Sequence, residues 1–229
     1  MSEDDKKLII AELLSKKATL KQTVFEQTQN VFNNLREVLK KLEGELNNSL
    51  DKTLPNQIKL RYYDRGAFEM ELKVAGDLLI FSMHSNIFEF DREHPVWKTD
   101  YITQNDDNTF SGVINVYNFL ADSFKYNRQQ DLGYLVGRLF INQEGHFMIE
   151  GKRQKPEEHF TGFSDHPLTE ENLRMIVLNS VLYCIQFDLL APPYDQIKIA
   201  SVEQMQDKIS HSKIQTGKRV GFKFNSDDV

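Results

Sequence analysis

The feature that most constrains this chain is a long stretch of helix-forming sequence near its N-terminus. Glycine and proline are absent from Glu3 to Glu43, and apolar residues recur between Leu20 and Leu50 at spacings of three and four. This pattern predicts one long amphipathic helix whose apolar face must be covered by another surface. The candidate interface residues on that face are Val24, Phe25, Val31, Phe32, Leu35, Val38, Leu39 and Leu42.

Two partners for this apolar face stay open at this point. A helix from Thr19 to Leu50 would be on the order of 48 Å long, whereas a compact domain of the remaining residues would be about 40 Å across. The helix either packs along its own domain or forms a coiled-coil seam with a second copy or another protein. We therefore divide the chain into an N-terminal helical element, residues 1–52, and an α+β domain, residues 53–229, that ends in a short helix and strand segment.

Alternating apolar and polar residues follow the helix. Ile58 to Val74 alternates on both sides of an Asp64-Arg65-Gly66 turn, which predicts an antiparallel hairpin with one solvated face. Further strands are predicted at residues 78–83, 87–90, 110–119, 132–141, 146–150 and 220–224, and the first four strands are expected to form a meander. A short helix is predicted at residues 201–209.

A second helix is predicted from Thr169, its N-cap, to about Leu190. Apolar residues occur on nearly every side of it, so it is expected to be buried all round, between the sheet and another layer. The only cysteine, Cys184, lies in this helix and is expected to be buried. The predicted fold class is α+β: a bent antiparallel meander sheet of about six to eight strands, packed by one apolar helix and a long N-terminal amphipathic helix.

Charge and composition limit the binding partners and the cellular location that we expect for this chain. The net charge of −6 argues against a general polyanion-binding protein. A locally basic segment, residues 208–223, is a nucleic-acid candidate through Lys213, Lys218, Arg219 and Lys223, and its alternative is a solvated face. The chain starts without a basic region followed by an apolar run, and no membrane span is visible, so we expect a cytoplasmic protein.

No motif in the sequence carries a recognisable catalytic chemistry. We find no nucleophile elbow and no glycine-rich phosphate loop, and we predict no cofactor and no metal site. His159 and His166 are the nearest approach to a metal-ligand cluster, but their acidic loop is more typical of a solvated segment. These observations favour a non-catalytic protein and leave an enzymatic domain as an alternative.

Arg138 poses a question that the sequence leaves open. Counting by two places Arg138 on the strand face of Tyr134, Val136 and Phe140, and if that face is the core, the guanidinium needs an acidic partner or an anionic ligand. If Leu135, Leu139 and Ile141 form the core face instead, Arg138 is simply exposed. The weak ligand-binding candidates are His84, Tyr134, Arg138 and His146.

Three functional hypotheses follow. The first is a cytoplasmic interaction or assembly protein that pairs with itself or a partner through the N-terminal helix. The second is a ligand-binding or enzymatic domain with a cavity between the sheet and the helix at residues 169–190. The third is nucleic-acid contact through residues 208–223.

Overall fold

The structure is a computed structural model that describes residues 1–129, 131–151, 162–187, 194, 198–199 and 201–202. It has an antiparallel sheet with a long N-terminal helix and a second helix packed on the sheet. This confirms the predicted α+β class. The basic residues Lys213, Lys218, Arg219 and Lys223, the strand predicted at 220–224 and all but the start of the helix predicted at 201–209 lie outside the described residues.

The N-terminal helix runs without a break over nearly fifty residues. It consists of α1 (Glu3–Leu13), a π-helical turn (Leu14–Ala18) and α2 (Thr19–Ser49). Ser2 caps α1 in a reciprocal capping box with Asp5, which satisfies amide groups that a helix start leaves without partners. The helix ends where Leu50 becomes extended, as the polar Asn47-Asn48-Ser49 run before Pro55 predicts.

Seven strands and three further α-helices are the main elements of the rest of the described fold. The β5 strand is central, because β3 and β4 pair along one of its sides and β6 pairs along the other. The main path of the sheet is β1-β2-β3-β5-β6-β7. In chain order the elements are β1 (Arg61–Asp64), β2 (Glu69–Val74), β3 (Asp77–Met83), β4 (Phe88–Glu89), α3 (Asp100–Gln104), β5 (Phe110–Leu120), α4 (Ala121–Lys125), β6 (Tyr134–Ile141), β7 (Phe147–Gly151) and α5 (Glu170–Gln186).

The predicted four-strand meander is wrong at its fourth strand. The β4 strand has only two residues and pairs with Phe110 and Ser111 at the start of β5, whereas β3 pairs with residues 114–120 of β5. The chain therefore continues along β5 as β4 and leaves the sheet only after Glu89. It returns as β5 after residues 90–109, and the connection from residue 84 to residue 109 crosses one face of the sheet.

The opposite face of the sheet carries the main core. The apolar side of α2 is covered by this face and by α5, so Val24, Val31, Phe32, Leu35, Val38, Leu39 and Leu42 are at most 8% exposed. Phe25 is half-buried against the same core. In this packing all of the candidate interface residues except Phe25 are buried and not accessible to a second chain, which argues against their role as an intermolecular seam.

The α2 helix lies unusually close to β5 at one point. A Cβ atom built on Gly112 would lie 2.0 Å from Thr28 Oγ1, so only a glycine fits there. Thr28 turns its hydroxyl back to donate a hydrogen bond to the Val24 carbonyl at 2.7 Å. This contact fixes the height of the helix above the sheet.

The α5 helix differs from its prediction in its surroundings. Thr169 caps it as expected, and Leu173, Val177, Val181 and Cys184 are buried against α2 and the sheet. Met175, Leu182 and Ile185 are at least half exposed, so the expectation of burial on every side is wrong. Because α5 lies beside α2 in the same layer, only one of its faces meets the core. In the described part of the chain, no helix has the length and apolar character to cross a membrane.

Candidate functional site

The face of the sheet that the helices leave uncovered carries two cross-strand rows of different character. One row is polar and joins Ser82, Asn115, Arg138 and Glu150 across β3, β5, β6 and β7. The adjacent row is apolar and joins Val113, Phe140 and Met148. Because side chains on paired strands stand next to one another, the two rows make a surface that is half polar and half apolar. We refer to this surface as the outer face.

The connection after β3 covers part of the outer face and closes a pocket of about 290 Å³. Its floor is formed by Ser111, Val113, Asn115, Arg138, Phe140 and Glu150, and its wall by His84, Phe88, Glu89, Phe90, Asp91 and His94. The wall is held in place by the pairing of β4 with β5 and by the hydrogen bond from the His84 amide to the Val113 carbonyl. This volume lies near the lower end of the range for small-molecule sites.

An ion pair forms the polar end of the pocket. Arg138 donates hydrogen bonds from Nε, at 2.9 Å, and from Nη2 to the same carboxylate oxygen of Glu150. The other oxygen of Glu150 lies 3.8 Å from His94 Nε2. Both partners of the pair are more than a third exposed, so the pair orients the two groups more than it stabilises the fold.

Aromatic rings form the apolar end. Phe90 packs on Phe140 with ring centroids 5.0 Å apart and on His94 at 4.7 Å. His84 meets the ring of Phe88 edge-on at 4.7 Å. The rings connect to a small core cluster of Val113, Phe140 and Met148, which anchors the wall to the sheet.

Both histidines of the pocket are fixed by the backbone. Nδ1 of His84 accepts a hydrogen bond from the Asn86 amide at 3.0 Å, and Nδ1 of His94 accepts one from the Val96 amide at 3.2 Å. An acceptor nitrogen carries no proton, so in each neutral ring the proton sits on Nε2. The pocket therefore has two histidines whose Nε2 atoms are donors.

Ser111 has an unusual position at the base of the pocket. The residue is 1% exposed, and its hydroxyl has no hydrogen-bond partner among the described residues. Leaving a buried hydroxyl without a partner costs on the order of 1–3 kcal/mol. A polar atom with this cost, in a residue that lines a pocket, is a candidate contact for a ligand.

Two of the four predicted ligand-binding residues line this pocket and two do not. His84 and Arg138 are brought together, and the core face of β6 is that of Leu139 and Ile141, so Arg138 is exposed on the outer face. Tyr134 lies on the helix side, with its ring 5.6 Å from that of Phe187. The reason is a bulge: Val116 pairs with Gly137 and Tyr117 with Leu135, so Val136 is skipped and all residues before it change faces.

His146 belongs to a separate polar cluster at the β6–β7 turn. Its ring stacks on Tyr101 at 5.0 Å, and its Nδ1 lies 2.8 Å from the Ser164 carbonyl oxygen. The Tyr101 hydroxyl donates to Glu144 and accepts from Asn142. Burial and the Glu144 carboxylate raise the pKa of Tyr101. Because these polar groups form hydrogen bonds within the cluster, they stabilise the β6–β7 turn.

Sequence reasoning missed most of the pocket. Glu150 could have been found, because the Asn142-Gln143-Glu144-Gly145 turn fixes the hairpin register that pairs Arg138 with Glu150. No local signal indicates Phe90 and His94, since they reach the site only through the path of a long connection. The predicted cavity between the sheet and the helix at 169–190 is not where this pocket lies, since Leu173, Val177, Val181 and Cys184 pack into the core there.

A second candidate surface is the N-terminal part of the long helix. Every residue from 1 to 19 is exposed, and α1 and the π-turn contain no buried residue. Near its end, Nζ of Lys17 lies 5.3 Å from the centre of the Phe110 ring of β5, and the helix extends away from the packed core before this contact. Its exposed large apolar side chains are Leu8, Ile9, Ile10, Leu13 and Leu14.

Comparison with known proteins adds no functional information. No protein-family model, no curated protein and no solved structure matches this chain. Within the described residues no three histidine, cysteine, aspartate or glutamate side chains are placed to hold a metal ion. His159, one of the predicted metal-ligand candidates, lies outside them.

Proposed function

We propose that this chain is a non-catalytic assembly protein that pairs with a second copy of itself through the projecting segment of its N-terminal helix, residues 3–18. The observation that carries the proposal is that every residue of this segment is exposed, including five large apolar side chains that are 44% to 72% exposed. This interface differs from the one expected from the sequence, residues 24–42, because that surface of α2 is packed into the core.

Four of the five apolar side chains lie on one side of the projecting segment. With 3.6 residues per turn, Ile9, Ile10, Leu13 and Leu14 fall within about 140° of one another, whereas Leu8, Ala11 and Ser15 fall on the other side. Each exposed apolar side chain costs free energy in water that association recovers. The segment is about 24 Å long, so the contact is small and the expected dimer is reversible.

The charges of the segment favour antiparallel pairing of two copies. Its first turn is acidic through Glu3, Asp4 and Asp5, and its last turn is basic through Lys16 and Lys17. In an antiparallel pair the acidic end of one helix lies beside the basic end of the other, whereas a parallel pair brings like charges together. Because α1 continues through the π-turn into α2, the pairing would hold two domains at opposite ends of a helical bridge.

Sedimentation equilibrium over a range of protein concentrations tests the proposal. The full chain is expected to form a dimer whose population increases with concentration and decreases with salt. The double substitution Ile9→Glu and Leu13→Glu should leave a folded monomer, because it puts two charges into the apolar face. The matched control, Ala11→Glu with Ser15→Glu, adds the same charges at the same spacing on the opposite face and should still dimerise.

Two results would overturn the proposal. One is a full chain that stays monomeric at every concentration. The other is identical behaviour of the two double variants, which would show that the apolar face is not the contact. Equal melting temperatures of the two variants, measured at a concentration where both are monomeric, ensure that the comparison reports association and not folding.

A further inference from the structure

The outer-face pocket contains groups that neither the core nor the N-terminal helix explains. It combines a buried hydroxyl without a partner, an ion pair and a cluster of aromatic rings under one loop. We infer that this pocket binds a small organic amine, meaning a ligand with an ammonium group on an apolar body. This inference does not depend on self-association through the helix.

The charged side chains that line the pocket favour a positively charged ligand. Three carboxylates line it, Glu89, Asp91 and Glu150, against one guanidinium, that of Arg138. Glu150 is paired with Arg138. Oε1 of Glu89 lies 3.5 Å from Nη2 of Arg92, which does not line the pocket. Asp91 has no cationic partner among the described residues. A concave site with excess negative charge attracts cations and repels anions.

The aromatic wall fits the same ligand. An ammonium group is attracted to the faces of aromatic rings, and its apolar body gains from contact with them. Phe90 packs on Phe140, and the Arg138 guanidinium already lies 5.2 Å from the centre of the Phe140 ring. Phe88 lines the same pocket and is 43% exposed, so its ring is the one that a ligand's ammonium group can contact. Exposure of a large aromatic side chain at the rim of a pocket is explained when a ligand covers it.

Ser111 supplies an acceptor at the base of the pocket. Its hydroxyl oxygen is free to accept a hydrogen bond, since no described group bonds to it. An ammonium group is a donor with three N–H bonds. A ligand nitrogen that reaches Ser111 would therefore satisfy both partners, whereas an apolar group there would leave the hydroxyl unsatisfied.

Three molecules with the same aromatic body test the inference: phenethylamine, a cation at neutral pH, 2-phenylethanol, which is neutral, and phenylacetate, an anion. Each is titrated into the full chain and followed by the amide NMR signals. The amine is expected to bind with a dissociation constant on the order of 1 mM, as suits a ligand of this size. The alcohol should bind at least threefold more weakly, and the anion should not bind. The shifted signals should include those of His84, Ser111 and Asn115.

Two substitutions connect the binding to the pocket. Asp91→Asn removes a charge but keeps the Oδ1 acceptor that holds the Glu93 amide, and it should weaken amine binding threefold to tenfold. Asp51→Asn is its matched control, because Asp51 makes the same turn contact with the Thr53 amide outside the pocket. Ser111→Ala should weaken binding at least threefold without lowering the melting temperature.

The outcomes separate clearly. An amine that binds no better than phenylacetate, or that does not bind at all, overturns the assignment of a cationic ligand. Asp91→Asn or Ser111→Ala with wild-type affinity overturns the geometry argued for the pocket. Because Asp91 is exposed and Ser111 lacks a partner, neither substitution removes a contact on which the fold depends.

Discussion

The two parts of the N-terminal helix, α1 and α2, show how little a helical pattern reveals about the surface that covers the helix. Both parts are α-helical and they join through one π-turn. Phe32 in α2 is fully buried, whereas Leu13 in α1 is 53% exposed. The difference arises because α2 packs on the sheet and on α5, whereas α1 contains no buried residue in the described part of the chain.

The same two parts of the helix form different kinds of ion pair. In the projecting half, Lys16 pairs with Glu12 one turn away at 2.9 Å, so the pair needs only the helix. In the packed half, Glu45 pairs with Arg174 of α5, so the pair needs the tertiary fold. Local contacts thus support α1, while α2 depends on distant parts of the chain.

The largest expected effect comes from truncating one apolar side chain in each half. Phe32→Ala should lower the free energy of unfolding by about 3–5 kcal/mol, because it opens a cavity in a dense core. Leu13→Ala should change it by no more than about 0.5 kcal/mol in the monomer, since Leu13 is 53% exposed and belongs to no core cluster of the described residues. Denaturant unfolding at low protein concentration measures both. Equal losses in the two variants would contradict the division of the helix.

A smaller effect is expected at the closest contact between α2 and the sheet. Gly112→Ala places a methyl group against Thr28 and should lower the free energy of unfolding by about 1–3 kcal/mol. Gly44→Ala, in α2 with nothing within 4 Å, should raise it by up to about 1 kcal/mol, because alanine favours a helix. The opposite signs test whether the helix lies at this height above the sheet. A neutral Gly112→Ala would show that it does not.

The smallest effect concerns the two glutamates. The Arg174 hydrogen bond lowers the pKa of Glu45, and the Lys16 hydrogen bond lowers the pKa of Glu12. A lowered pKa in the folded state adds stability above the unfolded pKa, and this is lost as pH falls through the folded value. Arg174→Gln should return the pKa of Glu45 toward its ordinary value and leave that of Glu12 unchanged, as NMR titration of the side-chain carboxyls can show. A shift of both would mean that the pairs are coupled.

Much of the fold was predictable, because most elements carry a local periodic pattern. The α2 boundaries, the Thr169 cap and the β2–β3 pairing follow from spacing and turn residues alone. The position of β4 was missed, because a two-residue strand has no period to detect. The exposure of Met175 and Leu182 on α5 was also missed, since apolar composition shows what a helix tolerates and not what covers it.

The pocket was predictable only in part, for a different reason. His84 and Arg138 were singled out by residue type, and the hairpin register would have added Glu150. Tyr134 was placed on the wrong face because a single skipped residue, Val136, inverts the alternation of everything before it. A bulge of this kind leaves no mark that residue counting detects.

By itself, the sequence determined which residues needed burial and whether they would lie on a helix or on a strand. Helix and strand periods depend only on neighbours a few positions away. The tertiary structure alone decided what would cover them: the sheet and α5 cover α2, whereas α1 has no buried residue in the described part of the chain. It also decided that Phe90 and His94 would meet Arg138 across the outer face. Such contacts depend on the path of long connections and on strand register, whose free energies are summed over the whole chain and cannot be read from any one segment.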